Sequence, residues 1–407
     1  MSKKVLKNTI WLYLFTIVKL VVPLLILPFL TRKLSVSTYG VVSFVKAYCV
    51  YVQLIIDFGF LLSATKKIAI ANGNKINIGI ICGDTLVEKS ILSIGTIIIT
   101  SILCFIVPIF KQEPFFTLLY CLSCVTSIGV LDFLYRGIEK MEKVAVPICV
   151  AKVLSVLIVI VFVNSDKELL LIPLSEIAVN IIASILSIWF LRDEKIKIIV
   201  SNFTNWVKDL KTSGIYFLSN FATTILGAMT TLVVGVILSN QEVAFWSICM
   251  LFVSAAKAMY SPIGNSLYPY MVRSRDLKYV NKIALILSFP LMLSVLFIYL
   301  YGDNFIVFIV GEKYEQMPEI IKWFIPVLIF SFYSTLYGWP VLGAINKISE
   351  TTKTTVLSGL IQLLGVYLLI SSNVFSLINL AICCSCSEGC LFLFRLFLIV
   401  KYKDSLK

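Results

Sequence analysis

Four lysines, Lys19, Lys46, Lys152 and Lys257, stand inside stretches of sequence apolar enough to cross a bilayer as helices. A cationic side chain at membrane depth costs about 2.5–3.5 kcal/mol even on the lenient insertion scale, so such residues usually face a polar interior and serve a function. An ammonium group is a compact point charge, and four of them at depth suit the reception of something anionic inside the membrane. At a rise of about 1.5 Å per residue, Lys19 lies some 16 Å from its cytoplasmic end, close to the midplane and too deep to snorkel comfortably. Lys46 and Lys152 are about 9–12 Å deep and Lys257 about 8 Å from the inner surface. For Lys257, snorkelling and facing an interior are equally good readings.

Polar companions recur on the lysine faces. The first span places Thr9, Tyr13 and Thr16 with Lys19, and the second places Ser43, Gln53 and Asp57 with Lys46. The seventh carries Tyr216, Asn220, Thr223, Gly227 and Thr230, and the eighth Ser247, Ser254 and Ser261 with Lys257. Lipid penalises such stripes, so they should face protein or water. Hydroxyls alone are common packing residues in membrane helices, so the lysines carry the argument. Thr16, Gln53, Asn220, Thr223 and Ser254 are the candidates for a polar cavity lining. Glu176, on one face with Asn180 and Ser187, and Glu388 near mid-depth admit two readings: a structural ion pair with a lysine, or a site for the proton or sodium ion that drives transport. Asp57 admits the same two, together with contact to interfacial water at the inner end of its span.

The elements that must position these groups are membrane spans. Of 407 residues, 59% are hydrophobic and 14% charged, and mean hydropathy is +0.98, whereas an ordinary soluble domain carries roughly 25% charged residues. Twelve windows approach the about 20 residues that a hydrocarbon core requires: 8–30, 41–63, 87–110, 115–135, 144–164, 169–191, 213–238, 242–262, 283–303, 319–345, 354–372 and 375–400. With the N-terminus inside, 25 of the 35 lysines and arginines fall on the cytoplasmic side, stretch 64–90 included, and 6 outside. That bias predicts both termini in the cytoplasm and accounts for the net charge of +13 without nucleic acid. The first hydrophobic stretch is too long for a signal-peptide core and has no small-residue cleavage site, so it reads as a retained helix. The eleven cysteines lie mostly within spans as small apolar residues, Cys383, Cys384, Cys386 and Cys390 among them, and no metal or other cofactor is expected.

Outside connections are too short to hold a domain, so any chemistry belongs inside the bundle. The longest cytoplasmic link, 192–212, places Ile199, Phe203, Trp206, Val207 and Leu210 at helical spacing opposite Asn202, Asn205, Lys208 and Lys211, the pattern of an amphipathic interfacial helix. It divides the chain into an N-terminal six-helix lobe, 1–191, and a C-terminal six-helix lobe, 213–407, related as parallel repeats. The expected fold is thus an all-α polytopic membrane protein with two six-helix lobes around a central cavity. Pro23, Pro28, Pro262, Pro290, Pro326 and Pro340 interrupt spans and favour kinks. With no histidine, a histidine relay or histidine-dependent nucleophile is excluded, and no P-loop is present, so the chain does not read as an enzyme.

The sequence also resembles a known family, the polysaccharide-transport branch of the MATE-like MOP flippase superfamily, which includes O-antigen repeat-unit flippases of Wzx type. The likeness rests on Pro23 to Leu34 with Arg32, on Tyr39, Gly40, Phe44, Ala47 and Tyr51, on Asp57-Phe58-Gly59-Phe60, and on Tyr135 to Met141. Lys152, the stretch Val243 to Ser247 with Lys257, Pro262, Leu267 and Pro269, and Val310 to Tyr314 extend it over nearly the whole chain. Arg136 departs from it, standing where glutamine is common. The resemblance implies a bundle that moves undecaprenyl-diphosphate-linked oligosaccharide across the bacterial cytoplasmic (inner) membrane by alternating access. It also implies a cation-lined cavity of Lys19, Lys46, Lys152, Lys257 and Arg32. Partners would be the lipid-linked substrate, membrane lipids, a coupling proton or sodium ion and a polysaccharide polymerase or chain-length complex. The competing readings are a MATE-type small-molecule antiporter, whose cationic cargo a positive cavity would repel, and a membrane-embedded polymerase, which would need larger loops.

Overall fold

The structure, a computed structural model, describes residues 3–71 and 73–406, apart from the side chains of 3–10, 12, 13, 15, 219, 222, 223, 225–228 and 261. The side chains of Thr9, Tyr13, Thr223 and Ser261 therefore lie outside the described ones. Every regular element among the described residues is helical, as expected where backbone groups have no water to bond and must satisfy one another within a segment.

The chain forms two compact units, Met1–Asn240 and Gln241–Lys407. The first contains α1 (Lys3–Lys33), α2 (Val36–Asp57), α3 (Phe60–Ile70), α4 (Lys75–Ile106), α5 (Pro108–Gln112), α6 (Pro114–Thr126), α7 (Asp132–Gly137), α8 (Glu142–Phe162), α9 (Leu171–Glu194) and α10 (Phe203–Ile237). From Asn240 onward come α11 (Asn240–Ser274), α12 (Leu277–Val310), α13 (Met317–Lys322), α14 (Ile325–Leu336), α15 (Ile348–Ser371) and α16 (Leu377–Lys401). Among the described residues ten helical runs are long and apolar enough to cross a membrane, and the windows expected at 8–30 and 213–238 correspond to α1 and α10. The helix of the seventh window packs on α2, α3 and α4 and so belongs to the first unit.

Polarity is inverted relative to a water-soluble helix. On α4, Ser93, Thr96, Thr100 and Cys104 are buried while Ile91, Ile94, Ile98, Ile102 and Phe105 are exposed. The most apolar window of α12 is only 6% buried within the chain, as suits a helix whose surroundings are acyl chains.

Three expected spans are broken, each for a local reason. The second bends after Asp57, where Phe58 (φ 36°) and Gly59 (φ 78°) are left-handed. A Cβ on Gly59 would also stand 2.7 Å from the Phe217 nitrogen and the Ser213 carbonyl of α10, so glycine is required twice over. The fourth breaks between α6 and α7, and the stripe on α9 seals the break. Asn180 donates to the Ser123 carbonyl (2.9 Å), Ser184 to the Thr126 carbonyl (2.8 Å), and Ser187 Oγ accepts from the Leu131 N–H (3.0 Å). The tenth breaks before Ile325, so Pro326 opens α14 and does not kink a span. It then loosens into a π-helical turn, Tyr337–Gly343, around Gly338 and Pro340.

The interfacial linker differs from expectation. Helix begins only at Phe203, and the preceding stretch, including Ile199, is not helical and is clasped to α4. The Ile199 N–H bonds the Gly79 carbonyl (3.1 Å), while Asp84 accepts from the Ser201 N–H (2.7 Å), Ser201 Oγ (2.6 Å) and Trp206 Nε1 (3.0 Å). A Cβ on Gly79 or Gly83 would stand 2.1 Å from the carbonyl oxygens of Lys197 and Ile199. The strap lies so close that only glycine fits beneath it.

Candidate functional site

Within the first unit, α1, α2, α4, α8 and α9, with the α6–α7 break, enclose a cavity of about 490 Å³. Lys19, Lys46 and Lys152 line it, so three of the four lysines expected at membrane depth meet around one void. Gln53, Asp57, Glu176 and Asn180 line it as well. The spacing of Lys46, Gln53 and Asp57 along α2 turns all three inward. Ser43, expected on the same face, is buried elsewhere.

The lining contains four lysines and three carboxylates, because Lys89 and Asp132 join those already named. Lys152 lies 2.5 Å from Glu176, and Lys89 lies 2.8 Å from Asp57, which also accepts from Gln53 Nε2 (3.0 Å). Gln53 in turn accepts from Ser127 Oγ (3.3 Å), so an amide links α2 to the α6–α7 break. Asp132 accepts from the Phe133 N–H (2.8 Å) at the start of α7. Lys46 has no carboxylate within ion-pair distance among the described residues. The inventory leaves one positive charge in excess.

Lys89 was expected in the cytoplasmic stretch 64–90. It instead sits within α4, its side chain 5% exposed, because α4 begins at Lys75 and the stretch is mostly helix. Arg395, counted with the C-terminal end, likewise lies inside α16 and is buried. Its guanidinium donates to the Ser334 carbonyl (2.5 Å) near the end of α14 and to Thr355 Oγ1 (3.1 Å) of α15. Nothing in the local sequence around Lys89 specifies a partner on α2.

Other sequence candidates lie apart from this cavity. Lys257 is in the second unit, where it pairs with Glu388 and faces a carboxylate instead of reaching for the interface. Arg32 is exposed at the end of α1, and Thr16 and Ser254 are exposed and do not line the void. Asn220 is half-buried on α10 and does not line it either. Among the cysteines of α16, Cys383 and Cys384 bond Gln362 of α15. An arrangement of this kind can hold an anion: ammonium groups paired with carboxylates exchange one oxyanion for another without crossing an uncompensated charged state.

Known proteins resemble this chain in sequence and in fold. Residues 5–275 match the family model described as polysaccharide biosynthesis protein. Two curated relatives, each named "Putative O-antigen transporter", are similar over most of their length. The one from Escherichia coli (strain K12) is 23% identical over 368 residues, 89% of each chain, and the one from Shigella dysenteriae 24% identical over 376 residues, 89% of this chain and 92% of the other. Among solved structures, an inward-facing multidrug resistance MATE family transporter of the MOP superfamily aligns with a TM-score of 0.73 at 13% identity, covering 98% of this chain and 99% of that one. The lipid II flippase MurJ in an inward closed conformation aligns at 0.72 and 12% identity, covering 95% and 87%. This multi-pass membrane protein therefore has the MOP-superfamily fold and belongs to the polysaccharide biosynthesis protein family.

Proposed function

We propose that the chain is a flippase that carries an undecaprenyl-diphosphate-linked oligosaccharide, an O-antigen or related repeat unit, across the bacterial inner membrane by alternating access. The observation that carries this reading is the meeting of Lys19, Lys46, Lys89 and Lys152 around one membrane-depth cavity. The diphosphate is the part of such a substrate that hydrocarbon penalises most, and ammonium groups replace its hydration. Gln53, Asn180, Ser123 and Ser127 offer amides and hydroxyls to sugars, while the prenyl tail stays in lipid. The curated O-antigen transporters and the MurJ fold support the same substrate class.

In this reading the chain is a carrier and not an enzyme. Twelve helices span the membrane, α1 and α10 included, with both termini cytoplasmic. Lys257 and Arg32 attract the headgroup elsewhere on its route, with Asn220, Thr16, Thr223 and Ser254 as further polar contacts. Asp57, Glu176 and Glu388, each set against a lysine or near one, exchange that partner for a proton or sodium ion during turnover. A polymerase or chain-length complex receives the product. A MATE-type antiporter is disfavoured because the excess charge repels cations. Replacing Lys19 or Lys46 with alanine should abolish surface polysaccharide at normal protein abundance, and export retained in both variants would refute the assignment.

A further inference from the structure

One buried carboxylate takes no part in the cavity. Glu88 of α4 is 1% exposed, and neither of its oxygens has a hydrogen-bond partner. The other acidic groups of the membrane helices described above are satisfied: Asp57, Glu176 and Glu388 by lysines, Asp84 by three donors from the strap. Glu88 faces Asp84 on its own helix, Lys67 of α3 and Asp209 of α10. Lys67 is already committed to Asp209 at 2.5 Å. From α2, Asp57 is held by Lys89, and α6 carries no charged residue. A charged Glu88 would be a third anion around one engaged cation, buried and without a donor, which is the costly case for an ionised group.

We propose that Glu88 is a proton-binding site. It carries a proton while α3, α4 and α10 are packed as seen, and gives it up when that packing opens and water or Lys67 reaches the carboxylate. The site lies one helical turn from Asp84, which clasps residues 201 and 206, so the proton and the strap leading into α10 are thermodynamically linked. The sign follows: a proton held by the packed state and released by the open one makes the open state more populated as pH rises. This holds whatever the cavity carries.

The test uses the full chain in lipid. Infrared difference spectra should show a protonated-carboxyl C=O band at neutral pH that E88Q removes and E88D shifts. Hydrogen–deuterium exchange over 197–212, corrected for intrinsic rates, should rise with pH in the parent and stay flat in E88Q. Absence of the band in the parent, its survival unaltered in E88Q, or an equal pH-dependent rise in both chains would overturn the proposal. E88D keeps it falsifiable should E88Q not fold.

Discussion

At the residue scale, the Lys89–Asp57 contact separates structural charge from functional charge. The Lys89 side chain is 5% exposed while Asp57 is 37% exposed toward the cavity, so the lysine depends on the aspartate more than the reverse. Asp57→Asn should leave a buried ammonium without its counter-charge and cost about 1–3 kcal/mol. The double variant D57N/K89M, which removes both charges, should recover most of that loss. Thermal unfolding in detergent measures it, and a double variant no more stable than D57N would show that Lys89 finds another partner. The residues of this network were partly legible in the sequence. Lys46, Gln53 and Asp57 follow from helical spacing on one span, whereas Lys89 requires knowing that α4 starts a turn before Gly79 and which helix it meets. Period and hydropathy describe one helix at a time, and a salt bridge between helices belongs to neither.

At the element scale, the devices that matter are breaks and close approaches. The bend at Phe58-Gly59 coincides with residues that attracted notice in the sequence, but its cause, the backbone of α10 at 2.7 Å, is a tertiary fact. The non-helical strap shows the limit more sharply. Ile199, Phe203 and Trp206 have helical spacing, yet three bonds to Asp84 and two glycines beneath Lys197 and Ile199 favour non-helical backbone before Phe203. Local periodicity is a weak preference, and a satisfied buried carboxylate outweighs it. Gly83→Val should displace the strap and raise tryptic cleavage at Lys195 and Lys197 severalfold in detergent. Gly95→Val, on the same helix with nothing within 4 Å of its Cβ, should leave cleavage unchanged. Equal cleavage in both variants would mean that the strap does not depend on close approach.

At the scale of the whole molecule, the sequence conveyed the membrane class and the all-helical architecture, because both follow from length and hydropathy. It conveyed less well where the compact units divide, since α10 packs with the helices before it while the longest linker precedes it. The property that joins these scales is the electrostatic field in the cavity, and it can be measured without knowing the substrate. Val50 lines the void and is 46% exposed, so cysteine at that position samples its potential. An anionic sulfonate thiol reagent should modify Val50→Cys about tenfold faster than a cationic trimethylammonium reagent, the lower end of what a focused field gives, read as the excess over the parent chain. Lys46→Gln should shrink that ratio, because no carboxylate lies within ion-pair distance of Lys46 among the described residues. Salt near 1 M, where screening acts over about 3 Å, should shrink it in both chains. A ratio near unity in the parent would mean that Asp57, Asp132 and Glu176 neutralise the lysines completely, and an anionic headgroup would then gain nothing by entering.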